Sequence, residues 1–268
     1  MKNYNKLIKN INQLTDDEKI NIKNNINVIK DLDYEEDNIK IHIESDIELY
    51  TRTISCKKEP EIVDWIHLNF NSISNPTFYD IGANIGAYSL VASMFMKQKM
   101  KVYAFEPSFL NYYQLNKNII LNNCQSCIVP LNIALSDVSE LGNFHYSSLD
   151  SGSAAHAFGE AIGETGEEFQ PSNTSLMHSY RLDDLINAFN FEIPNFIKID
   201  VDGIEMKILE GAKDTLNNDT LKSLVVEIVY ENDADEFIKF LKEFKFEFFS
   251  RHEYTGVSPG YNYIFNKK

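Results

Sequence analysis

Asp80-Ile81-Gly82-Ala83-Asn84-Ile85-Gly86 lies between a short apolar run, 77–81, and a segment, 85–97, whose apolar spacing predicts a helix. Glycines at a strand-to-helix turn let the backbone reverse tightly and approach a bound ligand. The spacing here is GxxxG, not the GxGxxG of dinucleotide sites. Asp80 closes the strand. A carboxylate at that place repels a pyrophosphate but accepts hydrogen bonds from a ligand ammonium. Working outward, the next predicted strand, 101–105, ends at Glu106, about 20 residues beyond Gly86, where an acid is suited to accept both hydroxyls of a ribose. The turn is therefore expected to hold a ligand that pairs a ribose with a positive group and carries no phosphate. S-adenosylmethionine fits that description, and NAD and ATP fit it less well.

Strand and helix patterns alternate on both sides of this turn. Helix is predicted over 108–122 with Ser108 as its cap, strand over 127–131, helix over 182–189, strand over 196–199 and helix over 204–216. Strand at 224–229, helix at 234–244 and strand at 261–265 complete the series. Such alternation predicts an α/β fold with a mostly parallel sheet and helices on both faces. Ligands in such sheets bind outside the carboxyl ends of the strands. The chemistry is expected at Asp80, Gly82, Ala83, Asn84 and Gly86, at Glu106 and Pro107, at Asn132 and Ala134, and at 200–205.

Further from the centre, residues 1–38 are expected to be an N-terminal helical extension. Thr15-Asp16-Asp17-Glu18 has the pattern of a capping box, and 31–38 is acidic enough to read as a linker. Residues 39–75 add strands and a helix, and 76–268 form the core domain. One stretch, 148–175, breaks the rhythm. It carries Gly152, Gly159, Gly163 and Gly166 with five acids and no Lys or Arg, and is expected to be a mobile lid. Its acidity points to an acceptor that is neutral or cationic.

The chain has 268 residues, 43% of them hydrophobic, enough for a packed core. Its 25 Lys+Arg and 40 Asp+Glu leave a net charge of −15, without the electrostatic footprint of a nucleic-acid binder, and unsuited to anionic membranes. No apolar run reaches the roughly 18–20 residues of a bilayer span. The start lacks the apolar core of a signal peptide, so a cytoplasmic location is expected. The three cysteines include a CxxC at Cys124 and Cys127, which reads as two small residues in a helix-to-strand connection rather than as redox or zinc chemistry.

Three segments together resemble the FkbM-type family of S-adenosylmethionine-dependent methyltransferases. They are Phe78-Tyr79-Asp80-Ile81-Gly82-Ala83-Asn84-Ile85-Gly86-Ala87-Tyr88-Ser89-Leu90, Val102-Tyr103-Ala104-Phe105-Glu106-Pro107-Ser108 and Phe196-Ile197-Lys198-Ile199-Asp200-Val201-Asp202-Gly203-Ile204-Glu205. Ala134-Leu135-Ser136-Asp137 and Leu182-Asp183-Asp184-Leu185 add to the likeness. One departure is Asp202, where the family more often has Glu. The resemblance implies a class I methyltransferase fold with a seven-stranded, mostly parallel sheet. It also implies methyl transfer to a hydroxyl, often of a glycan or small-molecule metabolite. On matching positions Asp80, Gly82, Asn84 and Gly86 are expected to hold the methionine part, Glu106 the ribose, and 132–134 the adenine.

On the acceptor side, Asp200 is the first choice of carboxylate, with Asp202 and Glu227 as further candidates. Asp202 and Glu205 alternatively form a capping box. Asp200, Asp202 and Glu227 alternatively bind a divalent cation, a less favoured reading. Among the histidines His145, His156 and His178, His156 is the preferred general base. Two other readings stay open. One is a nicotinamide-dependent oxidoreductase, which Asp80 and the missing GxGxxG argue against. The other is a non-catalytic protein that keeps the fold. The oligomeric state is left open.

Overall fold

In the computed structural model, residues 2–163, 166–253 and 260–268 are described. The chain begins with α1 (Lys2–Asn12) and α2 (Asp16–Asn25). The expected capping box is present: Thr15 Oγ1 accepts from Glu18 N at 3.3 Å while Glu18 Oε2 accepts from Thr15 N at 2.9 Å. None of the α2 residues is buried.

The stretch expected as a linker does more than connect. β1 (Ile29–Asp31) pairs antiparallel with β2 (Lys40–His42), and between them Leu32 and Tyr34 are buried in the core. Asp33 accepts from the backbone N–H groups of Cys56 and Lys57 at 2.9 and 2.8 Å. The boundary expected at 38/39 thus falls inside a hairpin. α3 (Asp46–Tyr50), a 3₁₀ turn at Arg52–Ile54, α4 (Ser55–Lys58) and α5 (Pro60–Asn69) follow.

The core then alternates: β3 (Thr77–Ile81), α6 (Ala87–Phe95), β4 (Lys101–Phe105), α7 (Phe109–Leu121), β5 (Ile128–Leu131). After it come β6 (Ala134–Leu135), β7 (Glu140–Tyr146), β8 (Ala157–Phe158) and β9 (Asn173–Tyr180), which form a separate four-stranded sheet in the order β6-β9-β7-β8. The chain returns through α8 (Leu182–Phe189), β10 (Phe196–Ile199), α9 (Glu205–Glu210), α10 (Lys213–Asn217), β11 (Ser223–Ile228), α11 (Ala234–Glu243), β12 (Phe246–Glu253) and β13 (Tyr261–Lys267). The segment 204–216, expected as one helix, is split in two. Buried Asp183 accepts from Asp214 N and Thr215 N, both at 2.9 Å, and so caps the second piece.

Among the described residues the central sheet runs β12-β13-β11-β10-β3-β4-β5. The pairs from β11 to β5 are parallel, and β13 runs antiparallel to both of its neighbours. Strand alternation divides the core between the two faces. Phe78, Val102, Phe196 and Val225 point to the side of α5, α6 and α7; Tyr79, Tyr103, Ile197 and Leu224 point to the side of α8, α9 and α11. On the first face Trp65 meets Phe70, Phe78 and Phe196 edge-on at 5.3–6.0 Å, and its Nε1 donates to Ser223 Oγ at 2.8 Å. Connections leave β3 and β10 in opposite directions across the sheet, so the crevice at their carboxyl ends is the switch point where such folds bind ligands. Cys124 and Cys127 are buried free thiols beside Ser93. No helix of the described residues is long and apolar enough to cross a membrane.

Candidate active site

The turn after β3 is shaped first by chain packing. Gly82 N and Ala83 N both donate to Phe105 O, at 3.0 and 2.9 Å, which ties the turn to the end of β4. Gly82 has φ +81°, and a Cβ there would stand 1.8 Å from Asp200 O, so only glycine lets β3 and β10 end side by side. Gly86, at φ +93°, begins α6, and its Cβ would meet Leu115 Cδ1 of α7 at 2.5 Å. Asn84 N donates to Glu106 Oε2 at 2.7 Å and Ser108 N to Oε1 at 2.8 Å. Burial pushes the Glu106 carboxyl up to about 7, against the pull of those two backbone N–H groups.

A cavity of about 590 Å³ opens above this turn. Phe105, Glu106, Pro107, Ile133, Ala134 and Leu135 line it, and so do Tyr50, Arg52, Lys57, Lys58 and Glu59. Gly82, Ala83 and Asn84 line it, as do Lys198, Asp200, Asp202, Glu227 and His156. Asp80, Gly86, Asn132 and Glu205, all expected at the site, stand off it. Asp80 lies beneath, 1% exposed, with Oδ2 accepting from Ser89 Oγ at 2.6 Å. Gly86 packs against α7. Asn132 is exposed and donates to Glu106 O and Pro107 O at 2.9 and 2.8 Å, bracing that turn from outside. Glu205 is buried, its carboxyl pushed up to about 8 by burial.

Lys198, which sequence reading passed over, organises the acids. It is 2% exposed, and its Nζ lies 2.6 Å from Asp200 Oδ2, 4.0 Å from Asp80 Oδ1 and 5.2 Å from the Tyr88 ring centroid. Burial alone would lower this ammonium; Asp200, Asp80 and Glu59 outweigh it and hold it above its ordinary value. Conversely, burial would raise Asp200, but Lys198, a hydrogen bond shared with Glu227 and the charge of Lys58 hold it well below the usual carboxylate range. A lysine inside a run of apolar strand residues is the signal that could have found it, since buried lysines are nearly always paired. Tyr88 hydrogen-bonds Glu59 and Ser55 O, and all three line the cavity.

The segment expected to be a mobile acidic lid is built differently. Ser151 and Ser153 are buried, and 153–158 line the cavity as a strap. Ser153 O accepts from Asn84 Nδ2 at 3.0 Å and Asn111 Nδ2 at 2.9 Å; Gly152 N donates to Asn111 Oδ1 at 2.7 Å. Fully buried Glu48, which closes a capping box with Ser45 at the start of α3, also binds Ser151 Oγ and Gln114 Nε2. Among the described residues none of the lid's acids lines the cavity, whereas Arg52, Lys57 and Lys58 do. Glu164 of that segment lies outside the described residues.

His156 N donates to Asp202 Oδ2 at 3.0 Å. The capping-box reading of Asp202 and Glu205 is not found: Ile204 is the N-cap of α9 and no side chain caps it. His156 also departs from the role of a base. Its Nδ1 accepts from Ser147 N at 3.2 Å, so the ring proton sits on Nε2, and burial with the nearby Arg52 charge pushes the imidazole down to about 4. His145 and His178 do not line the cavity; His145 bridges Thr174 Oγ1 and Gly159 O at 2.9 and 3.0 Å. Among the described residues no group of three or more His, Cys, Asp or Glu has a metal-holding arrangement.

Comparison with known proteins bears on this arrangement directly. The methyltransferase FkbM domain model matches residues 80–248, which runs from Asp80 to the start of β12. Methyltransferase sdnD of Sordaria araneosa is 29% identical over 180 residues, covering 59% of this chain and 68% of that protein. Hexuronic acid methyltransferase AglP of Haloferax volcanii is 26% identical over 167 residues, covering 62% of each. The chain thus spans about two thirds of the length of these curated relatives. The crystal structure of a SAM-dependent methyltransferase from Agrobacterium tumefaciens superposes with a TM-score of 0.53 at 9% identity, over 90% of this chain and 70% of that one, a likeness of fold alone. With a family model matching well over half its length and a class I sheet beneath the site, the chain belongs to the FkbM family of S-adenosylmethionine-dependent methyltransferases.

Proposed function

We propose that this chain methylates a hydroxyl oxygen of a sugar or similar small metabolite. The observation that carries the reading is the lining of the cavity, which combines a buried carboxyl and apolar side chains with the ion-paired Asp200 and with Glu227. S-adenosylmethionine fits the first part. Glu106 accepts ribose hydroxyls, and Phe105, Ile133 and Leu135 offer apolar surface to an adenine. When bound, the cofactor supplies an electrophilic methyl on a positive sulfur.

The chain's own task is to hold a hydroxyl in line with that methyl and accept its proton. Asp200, kept ionised by Lys198, accepts the hydrogen bond of the incoming hydroxyl. An acid held that low binds a proton poorly, so its work is orientation and charge. The released proton goes to Glu227 in its ionised form, since Asp200 is held too low to keep it. The strap and the 50–59 wall exclude water from the reacting oxygen. AglP, by its name a hexuronic acid methyltransferase, supports a sugar-like acceptor.

A methyl-transfer assay with labelled cofactor across hydroxylated sugars and metabolites tests the reading. Asp200→Asn is expected to lower kcat by about 10²-fold or more while leaving cofactor Kd near the wild-type value. Loss of cofactor affinity with turnover retained would make Asp200 a cofactor residue instead.

A further inference from the structure

Two side chains that line the cavity, His156 and Arg52, keep N–H groups with no acceptor assigned to them. His156 is 8% exposed, and Ser147 N occupies its Nδ1, which leaves the ring proton on Nε2. Nε2 is buried and has no hydrogen-bond partner. Such an orphan is costly unless something fills it. Arg52 lines the same cavity. Its Nε donates to Gly152 O at 2.8 Å, the only side-chain hydrogen bond it makes among the described residues, and its charge acts on His156. Its two terminal nitrogens make no hydrogen bond among the described residues.

A neutral N–H donor beside a guanidinium is complementary to a group that only accepts and carries negative charge. Two acids of the cavity are already engaged: Asp202 Oδ2 by His156 N, and Asp200 Oδ2 by Lys198 Nζ. We propose that Arg52 and His156 form a binding corner for a carboxylate carried by a ligand of this cavity. Two sources offer that chemistry, the amino-acid carboxylate of the methyl donor and an acid group on the acceptor. The corner deepens the methyltransferase reading and rests on it for the choice of probes.

Calorimetric titrations of the full chain separate the sources. S-adenosylhomocysteine is compared with methylthioadenosine, which lacks the carboxylate, and glucuronate with glucose, each with and without S-adenosylhomocysteine. His156→Ala and Arg52→Met are expected to weaken at least one carboxylate ligand by about fivefold or more while its uncharged counterpart is unchanged. His156→Gln, which keeps an N–H near the Nε2 position, is expected to restore most of the loss. Weakening confined to S-adenosylhomocysteine assigns the corner to the donor, and weakening confined to glucuronate assigns it to the acceptor. A wild type that ignores S-adenosylhomocysteine but binds glucuronate through Arg52 keeps the corner and overturns the methyltransferase reading. The corner is overturned if the wild type binds no carboxylate ligand, if both variants bind them normally, or if charged and uncharged probes weaken alike.

Discussion

Glu106 is the residue in which burial and function meet. With its carboxyl pushed up to about 7 from an ordinary value near 4.5, the folded chain holds this proton more tightly than the unfolded chain. Its contribution to stability is therefore complete below about pH 4.5 and is lost as pH rises through 7, a change on the order of 3 kcal/mol. Ribose hydroxyls donate to the ionised form, so the cofactor pulls the other way. Affinity for S-adenosylhomocysteine is expected to rise between pH 6 and 8, with proton release measurable by calorimetry in buffers of different ionisation enthalpy. A flat profile would separate Glu106 from the ribose. Glu106 and Asp200 were legible in the sequence because acids at strand ends in this fold face the crevice. The place of Asp80 was not. Strand alternation puts it on the Phe78 face, toward Ser89 of α6, and sequence reading aimed it at the ligand.

At the scale of elements, the strap is what sequence reading described least well. Its glycines, serines and acids lack periodicity, yet Asn84, Asn111, Glu48 and Arg52, from four separate parts of the fold, fasten 151–153. Those partners lie 41–103 residues away in the chain, and no local pattern announces such pairings. β12 was missed for a different reason. Lys245, at φ +68°, turns the chain out of α11 where a glycine would have signalled the stop. Asn111→Leu removes the bonds to Gly152 N and Ser153 O, and an unfolding cost of about 1–3 kcal/mol is expected by chemical denaturation. Acceptor KM should rise more than cofactor Kd. Equal losses in both would mean that the strap serves the whole cavity rather than the acceptor side.

Across the whole molecule, the alternating pattern from Pro76 onward carried the sheet, while the 29–72 region proved to be part of the core. Ile39, Ile41, Ile62, Trp65 and Phe70 pack with Phe78, Leu90 and Phe196 on one face of the sheet. Isolated short apolar runs such as 39–43 do not say what they will bury against. α2 contributes no buried residue, so removing 2–25 is expected to shift unfolding free energy by less than about 1 kcal/mol. Trp65→Ala, by contrast, should cost about 3–5 kcal/mol through the cavity it leaves and the lost bond to Ser223. If the deletion unfolds the chain and Trp65→Ala does not, the core has been drawn in the wrong place.

The claim beneath all of this is that a sulfur-bearing adenosine occupies the cavity with its sugar on Glu106. Calorimetric titration of S-adenosylhomocysteine into wild type and Glu106→Ala measures it directly. Saturable one-to-one binding is expected, with the variant weaker by about 1–3 kcal/mol and still folded. Absent binding to the wild type, or equal affinity in both proteins, would contradict it.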